Sequence, residues 1–150
     1  MKIFISADHA GFELKKKLVP FLKELGYEVE DKGAFTYDPQ DDYPDFVRPV
    51  AEAVAADPEQ SRGIVIGGSG QGEAICANKF KNVRAMEYYA PSRGEVSIIK
   101  DSRSHNDSNI LSLGARFLSE EETRVAIKDW FGTPFSGDER HVRRINKLDA

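Results

Sequence analysis

The chain holds a single cysteine, Cys76, among its 150 residues, so no intrachain disulfide framework can form. Such cysteine usage suits a reducing compartment, and a cytoplasmic location is the expectation. Long apolar runs are missing as well. The first, Ile3 to Ala7, is stopped by Asp8 and His9 and is too short for the apolar core of a secretion signal. No later stretch approaches the ~18 apolar residues that a membrane span requires. There is no excess of positive charge: 21 Lys and Arg stand against 25 Asp and Glu, for a net charge of −4. That balance argues against nucleic acid or an anionic membrane as a general partner, since both need a basic surface. Repeats, low-complexity tracts and linkers are also lacking, so residues 1–150 read as one domain.

Metal-ligand spacing is lacking too. The three histidines, His9, His105 and His141, form no HxH or HxxxH pair, and no His/Cys cluster exists, so no metal is expected.

What is present is a regular alternation. Lys2–Ala7 (KIFISA) is a short β-branched run. From Gly11 a helical pattern follows, with Leu14, Leu18, Phe21, Leu22 and Leu25 at three- and four-residue spacing. Gly26 is its natural stop, and Pro20 inside it should kink or divide it. Tyr27–Glu30 reads as a second strand. The Asp-rich stretch 33–43 reads as a loop, ending where Asp42 or Tyr43 can cap a helix with Pro44 in its first turn. Gly63–Ile66 (GIVI) is wholly apolar, as befits a strand covered on both faces. It leads into a glycine loop, Gly67–Gly72, and a helix through Lys79. Val83–Met86 and Asn109–Leu113 complete five strands. Glu120–Phe131 and Arg140–Leu148 read as helices. Strands alternating with helices predict an α/β fold with a parallel sheet. In such sheets ligands bind beyond the carboxyl ends of the strands. Asp8 and His9 follow the first strand, and the glycine loop follows the third.

The loop GGSGQGE spans Gly67 to Glu73. Its glycines let backbone N–H groups approach a ligand, and the helix start adds free N–H donors and partial positive charge. It is an anion hole in outline. No Gly-Lys-Ser/Thr closes it as a Walker A motif, and Ser69 breaks any dinucleotide fingerprint. Glu73, in the first turn of the following helix, suits a general base beside such donors. The helix start would lower its pKa and burial would raise it. A plain first-turn acid is the alternative reading. His105, followed by Asn106, has the titration range for proton transfer at a sugar ring oxygen. Arg140, His141, Arg143 and Arg144 cluster near the C-terminus, with Arg140 and Arg144 on one helix face. Arginine forks match phosphate oxygens, and cations this early in a helix oppose its dipole unless an anion binds there. Arg116, after the last strand, could add a phosphate contact.

Taken together, SADHAGFELK (6–15), DKGAF…DDYPDF (31–46), GGSGQGEAICANK (67–79), SHNDSNILSLGAR (104–116) and ERHVRRINKL (139–148) resemble the ribose-5-phosphate isomerase B / galactose-6-phosphate isomerase subunit family. The resemblance covers almost the whole chain. It implies a Rossmann-like three-layer sandwich with a five-stranded parallel sheet. It also implies homodimers or homotetramers with active sites shared between subunits. The implied reaction interconverts an aldose phosphate and a ketose phosphate through an enediolate, with no metal or organic cofactor. Ribose 5-phosphate and ribulose 5-phosphate are the expected pair, and another sugar phosphate or a non-catalytic binding module are the alternatives. By the same resemblance, Glu73 is the base and His105 opens the ring with Asn106 beside it. Asp8 and His9 lie near the substrate, and Gly68, Ser69, Gly70 and Gly72 hold the enediolate. Arg116, Arg140, His141 and Arg144 bind the phosphate. One branch of the family carries a cysteine at the position of Gly67 instead of a glutamate base; Cys76 matches neither position and reads as a packing residue. The segment 85–104 departs from the family in motif and is about five residues longer, where relatives carry a helix bordering the site.

Overall fold

Every strand of the sheet runs in the same direction, and that fixes where ligands can meet it. The computed structural model describes residues 1–91 and 97–149. In chain order the elements are β1 (Lys2–Ala7), α1 (Phe12–Glu24), β2 (Glu28–Asp31), α2 (Tyr43–Ala56), β3 (Ser61–Gly67), α3 (Gln71–Ala77), β4 (Ala85–Tyr88), α4 (Ile98–Ser104), β5 (Ile110–Gly114), α5 (Glu120–Gly132) and α6 (Glu139–Ile145). The sheet order is β2-β1-β3-β5-β4, and each neighbouring pair is parallel.

The side-chain alternation of a strand builds a core on each face. Ile3, Ile5, Ile64, Ile66, Leu111 and Leu113 point to one face, against Leu18 and Leu22 of α1, Ile99 of α4 and Ile127 and Trp130 of α5. Phe4, Val65 and Ile110 point to the other, against Val47, Val50, Ala51 and Val54 of α2 and Ala77 of α3. The result is the expected three-layer α/β arrangement. Every residue of β3 is buried, which explains why its sequence is apolar without alternation.

Pro20 does not divide α1, which runs unbroken from Phe12 to Glu24. Proline removes the bond to the carbonyl four residues earlier. Lys16 and Pro20 are both exposed, so water can serve the freed carbonyl on the outer side of the helix. α2 begins at Tyr43 with Pro44 in its first turn, and Asp42 is its N-cap residue without a side-chain cap bond. β4 lies two residues later than its sequence suggested. α4 was not legible from its residues. It has seven, of which Ile99 and Arg103 are buried, too few to display a period. Part of the atypical stretch, residues 92–96, lies outside the described residues. α5 starts with a capping box, in which Ser119 Oγ accepts the Glu122 N–H at 3.1 Å and Glu122 Oε2 accepts the Ser119 N–H at 2.8 Å. Among the described residues no helix is long and apolar enough to cross a membrane.

Candidate active site

The carboxyl ends of β1, β3 and β5 gather one set of the residues singled out from the sequence. Asp8 is buried at the turn after β1. Its Oδ1 accepts the N–H groups of Ala10 at 2.9 Å and Gly11 at 3.1 Å, so it shapes the turn that starts α1. His9 stands beside it, with Nδ1 2.6 Å from Asp41 Oδ1 and 4.0 Å from Asp8 Oδ2. After β3 comes the glycine loop. Gly70 adopts a left-handed φ of +84°, which a side chain would strain. Its carbonyl accepts the Ser112 Oγ–H at 2.6 Å, tying the loop to β5. Arg116 follows β5, and its N–H donates to the Gly68 carbonyl at 3.0 Å. A Cβ on Gly68 would lie 3.2 Å from Arg116 Nη1, and one on Gly72 would lie 2.7 Å from the Tyr43 ring. Arginine and tyrosine therefore close over the loop from either side.

Glu73 lies in the first turn of α3, 5% exposed. Its carboxylate fills the volume above Gly67: a Cβ there would stand 1.8 Å from Glu73 Oε1. A side chain at 67 and the carboxylate from 73 thus compete for one place. Burial raises the Glu73 pKa, a hydrogen bond from its own backbone N–H opposes that, the Asp8 and Glu87 carboxylates add to the rise, and His9 counters it. Of the two influences read from the sequence, burial outweighs the helix start.

The remaining residues lie elsewhere. α4 crosses back from β4 to β5, so His105 at its C-cap and Asn106 after it sit at the amino ends of the strands. Arg84, just before β4, donates through Nε to the Asn106 carbonyl at 3.2 Å and to the Asp107 carbonyl at 2.9 Å. The five residues of β5 span about 16 Å, and that length separates the two ends. α6 docks at the amino end through the Ser136 N–H, which donates to the Ser104 carbonyl at 3.0 Å. His141 of α6 is buried, its Nδ1 2.8 Å from Ser136 Oγ, and its ring lies 4.5 Å from that of His105. Burial lowers the His141 pKa, with His105 and Arg140 adding to the effect. His105, Asn106, His141 and Arg144 line a cavity of about 270 Å³. Within one chain, then, Asp8, His9, Glu73, the glycine loop and Arg116 come together. His105, Asn106, Arg140, His141 and Arg144 form a second group at the opposite end of the sheet.

Comparison with known proteins bears on what the two groups belong to. The family model for ribose/galactose isomerases matches residues 3–148. The chain belongs to the ribose/galactose isomerase family. Ribose-5-phosphate isomerase B of Mycolicibacterium paratuberculosis is 38% identical over 148 residues, covering 99% of this chain and 89% of that one. The Escherichia coli protein of the same name is 38% identical over 149 residues, covering 99% and 95%. The solved structure of ribose-5-phosphate isomerase B from Mycoplasma genitalium with bound ribulose 5-phosphate superposes with a TM-score of 0.88 at 37% identity, covering 98% of this chain and 93% of that one. The Clostridium thermocellum enzyme gives 0.87 at 41% identity, covering 99% and 95%.

Two residues of this family member's Glu73 end were not singled out from the sequence. Tyr43 packs on Gly72; in the sequence it marks a helix start and falls within the DDYPDF motif, which carried no assigned role. Asp41 pairs with His9; it falls within the same DDYPDF motif, without a role assigned to it. Asp8, His9 and Asp41 each place a donor atom within 4.8 Å of the others, the one such metal-capable group among the described residues. A hydrogen bond joins His9 Nδ1 and Asp41 Oδ1 at 2.6 Å.

Proposed function

We propose that this chain isomerises ribose 5-phosphate and ribulose 5-phosphate, with Glu73 as the base that carries a proton between C1 and C2. The observation that carries the reading is the buried Glu73 carboxyl, pressed against a residue without a side chain at the mouth of the glycine loop. Relatives that match nearly the full length carry the name ribose-5-phosphate isomerase B, and one of them holds ribulose 5-phosphate.

Abstraction of the C2 proton from the open aldose leaves negative charge on the C1 oxygen. Backbone amides of Ser69 to Gly72 are the donors suited to receive it. A carboxylate whose proton affinity is raised by burial is a stronger base than one in water, and its pKa moves toward the operating pH, where general bases are most effective. Within the enediolate the O2 hydroxyl proton passes to O1, and Glu73 then returns its proton to C1 as the C2 carbonyl forms. Asp8 braces the turn that presents His9, and Arg116 supplies positive charge beside the glycine loop.

The other half of the machinery comes from a second copy. His105, with Asn106, opens the sugar ring, and Arg140, His141 and Arg144 hold the phosphate. These groups stand at the far end of their own sheet, so a homodimer or homotetramer that sets one chain's amino end against its partner's carboxyl end completes each site. Phosphate binding energy then positions the reacting carbons. The protein works in the cytoplasm as a single-domain enzyme, without metal or organic cofactor. Replacement of Glu73 by Gln is the test. Turnover of ribose 5-phosphate falls about 10²–10⁴-fold, the range for loss of a positioned base, while binding of the sugar phosphate survives. Turnover like that of the unaltered protein would refute the role.

A further inference from the structure

We propose that Asp41 is a positioning residue that orients the His9 ring and fixes its neutral tautomer as Nδ1–H, so that Nε2 is presented to the substrate. This rests on the isomerase reading of the Glu73 end. Asp41 Oδ1 grips His9 twice, accepting its backbone N–H at 3.1 Å and lying 2.6 Å from its ring Nδ1. The Asp41 side chain is only 7% exposed, and its Oδ2 is buried without a hydrogen-bond partner among the described residues. A carboxylate out of water with one oxygen unserved depends strongly on the donor at the other.

An ionised carboxylate only accepts, so the nitrogen facing it must carry the proton. Neutral His9 is then the Nδ1–H tautomer, and its Nε2 is presented as an acceptor. Asp8 is not equivalent to Asp41 here. Its Oδ1 serves the Ala10 and Gly11 amides, and its Oδ2 is 4.0 Å from the ring, too far for a hydrogen bond. Asp8 fixes the turn; Asp41 fixes the ring.

The loop that brings Asp41 across is itself braced. The Ala7 N–H donates to the Gly33 carbonyl and the Ala34 N–H to the Ala7 carbonyl, both at 2.8 Å. Lys15, 2% exposed, reaches Asp31 Oδ1 and the Ala34 carbonyl, both at 2.7 Å. At its other end the loop runs directly into α2. Asp41 therefore meets His9 from 32 residues away on a support held at both ends.

The test combines long-range ¹H–¹⁵N NMR of the His9 ring with the isomerase assay. In the unaltered protein the neutral ring carries its proton on Nδ1. In Asp41→Asn the amide can donate to Nδ1, the neutral ring shifts to the Nε2–H form, and kcat/KM falls about 10–100-fold, on the scale found when the partner that orients a metal-ligating histidine is removed. An Nε2–H ring in the unaltered protein overturns the proposal, and that spectrum needs no variant to fold. A folded Asp41→Asn protein with unchanged tautomer and turnover also overturns it. Failure of the isomerase reading shows differently: the unaltered protein would not convert ribose 5-phosphate at all, whatever its ring tautomer.

Discussion

Glu73, the proposed base, is buried at a cost in stability. Its pKa is raised in the fold by burial, above the ordinary carboxylate value of 4.5. The folded state therefore holds its proton more tightly than the unfolded chain does. Between the ordinary value and the raised one, the native protein binds more protons, so this group's contribution makes stability fall as pH rises. Glu73→Gln removes that burden. The variant is expected to be more stable than the unaltered protein at neutral pH, with the difference vanishing below the ordinary carboxylate range; urea denaturation at both pH values checks this. Likewise kcat/KM should fall on acidification with an apparent pKa above the usual carboxylate range. Gly67 gives a companion prediction. Its Ala variant would put a methyl group 1.8 Å from Glu73 Oε1 and push the carboxylate away. Displacement of a reacting group by about 1 Å can cost on the order of 10²-fold in rate, so Gly67→Ala is expected to lose turnover to that degree in the isomerase assay while remaining folded. Glu73, Asp8 and His9 stood out in the sequence because each lies on a motif just past a strand. Asp41 did not, although it lies in DDYPDF, because a motif does not tell which of Asp41 and Asp42 a loop will carry to a histidine.

At the scale of elements, local signals succeeded where an element was long or fully covered. β3 was legible because both its faces are packed. α5 was legible from its length, and its start is fixed by the Ser119–Glu122 capping box. Ser119→Ala should lower stability by about 1 kcal/mol with isomerase activity unchanged, as read by denaturant midpoint and assay. Pro20 misled because propensity in a helix interior ignores which side faces water. α4 escaped because seven residues cannot show a period, and because Arg103 is one of its two buried positions. That arginine is paired, with Nη1 2.7 Å from Asp107 Oδ1, so its burial follows from a partner that hydropathy does not reveal.

At the scale of the whole molecule, the alternation of strands and helices specified a parallel sheet, and that sheet gives the chain two chemically different ends. One end holds a buried carboxyl, the glycine loop and Arg116. The other holds the His105–His141 pair and the arginines of α6. Their separation was partly legible, since His105 comes before a strand and not after one. What remained hidden is that α6 follows α4 to the amino end, which depends on contacts such as the Ser136–Ser104 bond. The proposed sharing of each site between two copies makes a sharp prediction for mixed variants. Glu73→Gln lacks the base but keeps an intact amino end; His105→Asn is the reverse. In a symmetric dimer, each mixed pair contains one complete site and one doubly damaged site. The most direct measurement is ribose 5-phosphate isomerase activity after the two inactive variants are dissociated together and reassembled. The shared site predicts recovery to about one quarter of the unaltered activity, given random pairing of two symmetric copies. No recovery, with mixed oligomers demonstrably formed, would contradict it.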